Sequence, residues 1–548
     1  MGKPVDYSVF KKVFETEYTI TRQLFRNCLR WPDKPAIIDP LINKTITNNE
    51  LNELSNQFAN ALLEAGVETY DAVMGDLFNS CEWFILLMGC AKARCKFIAQ
   101  NFLLPEGQIS KLMDDSEVVV FVYDAELKDM ALKAIEITKI KPKIAVMCGN
   151  GDVPPGHVSF EKFIEGKSKE SPITEVDVNW LDPVLCLYTS GTTGLPKGFT
   201  LNHGILYFDN MMISSLHKID SQGVTLATTP LFHRGGNTLS AFPHLHCGGA
   251  VVLMRSFDEQ KALDYIQKYK VTEIATVPTV IERMLVAQEA NPRNLSSLKT
   301  LVSMGAPLSQ ELCVKFWKLC PNLYNSYGTA DQHCVTHLLP WDLPEKAGTI
   351  GLAITEDIVK LVKLFGDRRG NPEDPADDCP RDGITEGEVA LRTIHGCYGY
   401  LNRPEDEAKS FPYKGWQLPG DTGVWDKDGY ITVKGRMDDM IISGGENVHP
   451  VVVEDALKTH PAVKEAFVIG APSKKWGQSV VAYVALNNAS ITEKDLDEFC
   501  KNHPGLARYQ RPKHYKIVDY SELPFNTVGK KQPYRLRQRV KEDFPNLP

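Results

Sequence analysis

The sequence predicts an α/β protein: a large N-terminal domain of packed mixed and parallel sheets with helices, then a small α+β domain. Two observations predict this. Short β-branched runs alternate with helix-period segments through most of the chain, the pattern of parallel sheets covered on both faces. Near residue 437 the composition changes, and a compact αβ pattern about the size of a small domain follows.

Taken in chain order, Asn49–Ala65 carries Leu51, Leu54, Phe58 and Leu62 at helical spacing, and Glu82–Ala91 reads as a buried helix. Val118–Val122, Lys143–Val146, Val184–Leu187, Ala250–Leu253, Glu273–Val277 and Thr300–Val302 are short apolar runs that read as strands. Gly366–Glu388, rich in Pro, Gly and acids, reads as a surface hairpin or loop rather than an acidic site. Asp421–Arg436 reads as a β-hairpin turning at Asp428-Gly429. The linker falls at Met437–Asp438, which gives domains 1–437 and 438–548. Beyond it, Pro450–Leu457 opens with a proline suited to a first helical turn. Val463–Ile469 and Val480–Leu486 read as strands, and Thr492 to Asp495 forms a cap pattern before Leu496, Phe499 and Cys500.

Bulk properties exclude several classes of function. The 548 residues suffice for about three to four domain-sized units. A net charge of -8 offers no basic field for nucleic acid. The apolar run Trp83–Ala91 is far too short to span a bilayer, so no integral membrane association is expected. The N-terminus lacks a secretory apolar region, and Asp6 stands where myristoylation needs Ser or Thr. Thirteen scattered cysteines with no C-x-x-C pair fit a reducing cytoplasm better than a disulfide framework or a zinc site.

The chemistry concentrates in Tyr188–Gly198, YTSGTTGLPKG. A strand feeding a loop of hydroxyls, glycines and one lysine aims backbone N–H groups and a cation at one spot, a polyphosphate cradle. It is not a Walker A loop, because Pro196 precedes Lys197. A Ser/Thr/Gly connector is the plain alternative. Gly305-Ala306-Pro307 follows one strand and Asn325–Asp331, NSYGTAD, follows another. Glycines there allow close approach to a flat ring, and Tyr327 offers a face for stacking. Asp331 suits Mg²⁺, a hard cation that takes carboxylates and substrate phosphates. Asp421 suits the two ribose hydroxyls, and Arg436 a phosphate or ribose. Each of these alone is more often a turn or surface residue; their joint order along the chain is what carries the reading.

YTSGTTGLPKG, NSYGTAD, GDTGVWDKDGYITVKGRMDD, SGGENVHP and LPFNTVGKK together resemble the core motifs of the adenylate-forming superfamily. That superfamily holds acyl- and aryl-CoA synthetases, peptide-synthetase adenylation domains and beetle luciferases. The resemblance spans about residue 30 to about residue 540, and GRMDDMIISGGENVHP looks closest to the aryl- and medium-chain acyl-CoA ligases, such as 4-chlorobenzoate–CoA ligase. It implies a small C-terminal domain that swings about a hinge at Asp438. It also implies ATP, Mg²⁺ and CoA as cofactor and co-substrates, and a carboxylic acid that is medium-chain, cyclic or aromatic. Small molecules are the expected partners, with a homodimer left open.

By the same resemblance, Thr189, Ser190, Gly191, Thr192, Thr193, Gly194 and Lys197 hold phosphates, with Gly305, Ala306, Pro307, Ser326, Tyr327, Gly328, Thr329, Asp421 and Arg436 completing the ATP and AMP site. Lys530 is the cation that bridges the attacking carboxylate and the phosphate, with His233 and Arg436 beside it in the catalytic set. A unit charge about 4 Å from a reacting oxygen is worth about 4 kcal/mol at an effective dielectric near 20. Locally, Lys530 also reads as one of a solvated basic run with Lys531, Arg535, Arg537 and Arg539. Ser443, Gly444 and Gly445 are implied to line a pantetheine tunnel, with Trp476 as an aromatic contact to CoA and Lys474, Lys475 and Arg508 near its phosphates. The acid pocket draws on His233, Asn237, Met304, Gly305 and Gln332–Cys334; Arg234 reads as a surface cation ahead of a substrate contact.

The chain departs from the family's Tyr-Gly-x-Thr-Glu at Ala330, which lacks a hydroxyl, and Asp331, which is one methylene short of the metal ligand. One neutral hydrogen bond costs only about 0.5–1.5 kcal/mol, so the departure touches those two roles more than the activity. The competing readings are an adenylating module that passes its acyl group to a carrier protein or other acceptor, or oxidises it, and a non-catalytic nucleotide- or acyl-binding protein with a degraded site.

Overall fold

The computed structural model describes residues 8–189, 196–306, 308–353, 358–365, 368–397, 399–443, 446–473, 475–487, 490–525 and 531–544. The chain divides into two compact units, Met1–Ile358 with Arg392–Gly415, and Val359–Leu391 with Trp416–Pro548.

Two sheets form the first unit. In the nine-stranded sheet, Pro35–Asp39, Ala250–Leu253, Val224–Ala227, Glu273–Thr276, Thr300–Met304 and Leu323–Thr329 lie side by side and parallel. Antiparallel strands extend both edges, Lys44–Thr47 at one and His333–Leu338 with Leu352–Ala353 at the other. In the seven-stranded sheet, Val158–Ser159, Ile144–Cys148, Val118–Asp124, Ala72–Asp76, Lys96–Ala99 and Pro183–Thr189 are parallel, and Lys197–Asn202 is the antiparallel edge. Strands covered on both faces need apolar residues at successive positions. Val120 to Tyr123 accordingly have no exposed surface. Helix Cys81–Lys92, apolar all round, is buried, and Ser80 caps it by accepting from the Trp83 N–H.

In the second unit, a four-stranded sheet orders Ile358–Lys363, Gly387–Arg392, Asp421–Trp425 and Ile431–Arg436. A five-stranded sheet orders Glu446–Val448, Ile441–Ser443, Gly477–Leu486 and Val463–Ser473, with His514–Ile517 parallel to Gly477–Leu486. One apolar cluster, including Val453, Leu457, Leu496 and Val468, covers one face of this sheet. A second, including Leu536, Val540, Phe467 and Tyr483, covers the other. Thr492 and Asp495 form the capping box expected of them.

The predicted segments fall on observed elements, and several strands run further than their apolar cores. Val118–Asp124, Thr300–Met304 and Val463–Ser473 extend two to four residues beyond the predicted ends. The grouping of the hairpin differs from a division at 437–438. Residues Asp421–Arg436 belong with the C-terminal segment, and Met437–Asp439 is a 3₁₀ turn inside the second unit. The cause is local: Met437 N–H donates to Gly420 O at 2.7 Å, and Arg537 donates to Asp438 O at 3.0 Å. In the acidic stretch before this hairpin, Asp377 and Glu388 pair with Arg368 and Arg369. All thirteen cysteines are free thiols, most of them buried. Burial pushes Cys81, Cys95 and Cys186 up to about 12. No described helix is long and apolar enough to cross a membrane.

Candidate active site

The described roots of the phosphate loop are cross-strand neighbours. Tyr188 pairs with Gly198 and Thr189 with Lys197, while Ser190, Gly191, Thr192, Thr193 and Gly194 lie outside the described residues. The Tyr188 hydroxyl lies 2.5 Å from Ser116 Oγ and donates to Asp115 Oδ2 at 3.1 Å. Asp115 is itself held by Arg403 at 2.9 Å, so the root of the loop is fixed from two sides. Lys197 reaches Asp406 at 2.8 Å and lies 5.3 Å from the centre of the Tyr400 ring.

The neighbouring sheet supplies the second wall. Strand Thr300–Met304 ends at Gly305, whose φ of +77° favours glycine, and Gly305 and Ala306 are exposed. Pro307 lies outside the described residues. Met304 pairs with Ser326 on the adjacent parallel strand, so Gly305-Ala306 and Tyr327–Thr329 sit together at the carboxyl ends of two strands. That is where open α/β sheets bind ligands. The reason for Gly328 differs from the sequence expectation. It pairs with Cys334, and a Cβ there would overlap the His333 carbonyl oxygen, so the strand pair itself requires glycine. Thr329 Oγ1 accepts from Gln332 N–H at 3.1 Å.

Asp331 is buried and its carboxylate accepts a hydrogen bond from the Tyr400 hydroxyl. Burial, with Asp331 beside it, raises the Tyr400 phenol, which keeps it a donor. Among the described residues no three His, Cys, Asp or Glu side chains converge on a metal position. Asp331 is the carboxylate here that could meet Mg²⁺ together with substrate phosphates, the mode that small, strongly hydrated cation prefers.

At the acid end, His233 is half-buried against the Phe232 ring, with centroids 4.5 Å apart. Met304 is buried. Asn237 is fully buried, and its amide is spent on the Leu231 carbonyl at 2.8 Å and the Thr238 N–H at 2.5 Å. Gln332 is also buried and donates to Cys397 O at 2.6 Å. Arg234 is not a surface residue. The residue is 5% exposed, and its guanidinium lies 3.0 Å from Asp209 Oδ2 and donates to the Ala330 and Asp331 carbonyls at 3.4 Å. Asp209 Oδ1 lies 2.6 Å from His333 Nδ1, and Thr238 Oγ1 lies 2.9 Å from His333 Nε2. Burial would raise the Asp209 carboxyl, but His333 and Arg234 outweigh it and hold it below its ordinary value. Burial pulls His333 down to about 4. This network ties the turn that carries His233 to the turn that carries Asp331.

In the second unit, Asp421 and Arg436 are cross-strand partners with an ion pair of 3.3 Å. Ser443 is buried and pairs with Gly477, which puts it beside Trp476, 39% exposed. Lys475 lies 4.9 Å from the centre of the Trp476 ring. Gly444, Gly445, Lys474 and Lys530 lie outside the described residues. The segment that carries Lys530 is bounded by Phe525 and Lys531, which form an antiparallel bridge. Lys531 pairs with Glu454 at 2.7 Å and Glu465 at 3.0 Å. Helix Pro533–Asp543 carries Arg535, Arg537 and Arg539 of the basic run.

The family model for AMP-binding enzymes matches residues 24–401, and that for the AMP-binding enzyme C-terminal domain matches residues 452–530. The chain is an AMP-binding enzyme. Indoleacetate–CoA ligase of Aromatoleum aromaticum is 30% identical over 513 residues, 93% of this chain and 96% of that one. A fatty acid–[acyl-carrier-protein] ligase of Streptomyces coeruleorubidus, ScoC, is 29% identical over 93% of this chain and 94% of its own. The crystal structure of the anthranilate CoA ligase AuaEII with anthranoyl-AMP superposes with a TM-score of 0.85 at 25% identity, covering 96% of this chain and 98% of that one. As a member of this family the chain is an AMP-forming acid–thiol ligase that uses ATP. The structure adds Tyr400, Asp406 and Asp209 to the site. Spacing gives no sign of them, because their partners lie far away in the sequence.

Proposed function

We propose that this AMP-binding enzyme activates a medium-chain, cyclic or aromatic carboxylic acid with MgATP and transfers the acyl group to CoA. The observation that carries the reading is Tyr400, which holds Lys197 and Asp331 together beside the paired carboxyl ends of Thr300–Met304 and Leu323–Thr329. A cation from one sheet and a carboxylate from the other, brought to one tyrosine, suit a triphosphate with its metal. In the first half-reaction a carboxylate oxygen attacks the α-phosphorus, and the bond to pyrophosphate breaks. Two anions meet there, so Lys530 bridges them while Lys197 steadies the phosphates and Asp421 with Arg436 holds the ribose. Asp331 would hold Mg²⁺, which would supply positive charge to offset that of the phosphates. In the second half-reaction the CoA thiolate attacks the acyl carbon, and the C–O bond to AMP breaks. We place the hinge about which the segment after it turns between the half-reactions at Asp438, in the Met437–Asp439 turn, and the CoA arm beside Ser443 and Trp476. We place the protein in the cytoplasm, a reading supported by its thirteen free thiols; sedimentation decides between a monomer and a homodimer.

The test is product analysis by mass spectrometry of protein, MgATP and CoA with acids from acetate through cyclic acids to benzoates. Acyl-CoA and AMP are the expected products. Acyl-AMP that accumulates despite CoA supports instead a carrier-protein acceptor, the reading that the similarity to ScoC favours. Lys530→Ala should lower acyl-adenylate formation by roughly a hundred- to a thousandfold, the worth of a charge at a preorganised site. Wild-type activity in that variant overturns the mechanism.

A further inference from the structure

Asp406 lies in the first turn of the short helix Pro404–Ser410 and places Oδ1 2.8 Å from Lys197 Nζ. The acidic run around it divides its work. Glu407 Oε2 accepts the Tyr400 N–H at 3.2 Å, fixing backbone, while Asp406 takes the lysine. Lys197 and Asp406 keep 18% and 35% of their side-chain surface exposed, so a solute reaches the pair.

We propose that Asp406 is a positioning residue that acts through Lys197: it holds the ammonium in the nucleotide-free enzyme, gives it up to the incoming polyphosphate, and so sets the affinity for ATP and pyrophosphate. The inference rests on the reading of Lys197 as a phosphate ligand. Its physical basis is charge competition. A carboxylate in contact with the ammonium stands within a few ångströms of any phosphate oxygen that the same ammonium binds, so it opposes that binding. A part-exposed ion pair is weak, which makes Asp406 a brake of a few fold. The Tyr400 ring is a second, uncharged seat for Lys197 through its π face, and it does not compete with phosphate. Because the Tyr400 hydroxyl also binds Asp331, the lysine stays aligned with the metal side of the site after Asp406 lets go.

The experiment measures dissociation constants for MgATP and pyrophosphate by calorimetry without acid, and KM for ATP against kcat for adenylate formation. It uses wild type, Asp406→Asn, Asp406→Glu, Lys197→Ala and the Lys197→Ala/Asp406→Asn double variant. Asp406→Asn should bind both ligands about two- to fivefold more tightly, the worth of a part-exposed ion pair, with KM for ATP lowered in step. Asp406→Glu should restore wild-type affinity, and the gain should vanish when Lys197 is absent. Unchanged or weaker binding in Asp406→Asn, with Lys197→Ala still weakening it, overturns the inference alone. Full ATP affinity in Lys197→Ala overturns the reading of the phosphate site on which it rests.

Discussion

Arg234 shows how much a single buried charge organises. It reaches Asp209, Thr238 and the carbonyls of Ala330 and Asp331, and so joins the acid turn to the nucleotide turn without facing solvent. Replacing it with methionine leaves Asp209 buried beside a neutral histidine. The expected cost is about 3–5 kcal/mol, read by denaturant unfolding. A lower cost means that Asp209 takes up a proton or water in its place. Gly328→Ala should also destabilise the fold, because its Cβ has no space beside the His333 carbonyl; unaltered thermal unfolding would count against that packing argument. Lys197 and Asp331 stand out in the sequence because their motifs are contiguous. Arg234 was misread as a surface cation because its partner Asp209 sits 25 residues earlier and His333 lies 124 residues beyond Asp209. Asp406 is hidden by distance from Lys197 and also because acids after a proline look like an ordinary helix start.

At the level of elements, the site depends on how its loops are rooted. Strand Pro183–Thr189 delivers Tyr188 to Ser116 and Asp115, which pins the start of the phosphate loop to helix Glu106–Ser116. Tyr188→Phe removes both bonds and should cost about 1–3 kcal/mol of stability, since it takes a partner from the buried Ser116 hydroxyl and from Asp115. KM for ATP should rise in the same variant; loss of stability with unchanged KM would separate the anchor from the site. These strands were legible from their apolar runs, because a strand buried on both faces has no polar alternation to confuse the reading. Their ends were not, since Thr189, Ser303 and Ser473 continue the pairing with polar side chains. The membership of hairpin Asp421–Arg436 was also illegible. It depends on backbone bonds such as Met437 to Gly420 and on Arg537, none of which leaves a periodic signal.

Across the whole molecule, buried histidines give stability a pH dependence. Burial pulls His203 and His246 down to about 4 and lowers His244 and His337 as well. A histidine kept neutral in the fold but free to charge when unfolded makes the unfolded state bind more protons as pH falls. The stabilisation is therefore fully present above about pH 6.5, the unfolded value, and is lost as pH drops toward 4. A group with a folded value of about 4 costs roughly 2 kcal/mol by pH 5. Unfolding midpoints in denaturant should fall between pH 7 and pH 5, and His203→Gln should flatten that fall. An equal slope in that variant would remove His203 from the account.

The free thiols give the molecule a built-in chemical clock. Burial has raised most of them and hidden them from reagents, so a maleimide at neutral pH labels the native chain slowly and a transiently opened one quickly. Cys379 and Cys500 belong to the second unit and the remaining eleven to the first. Pulsed labelling read peptide by peptide would then show which unit opens first, with no probe engineered into either.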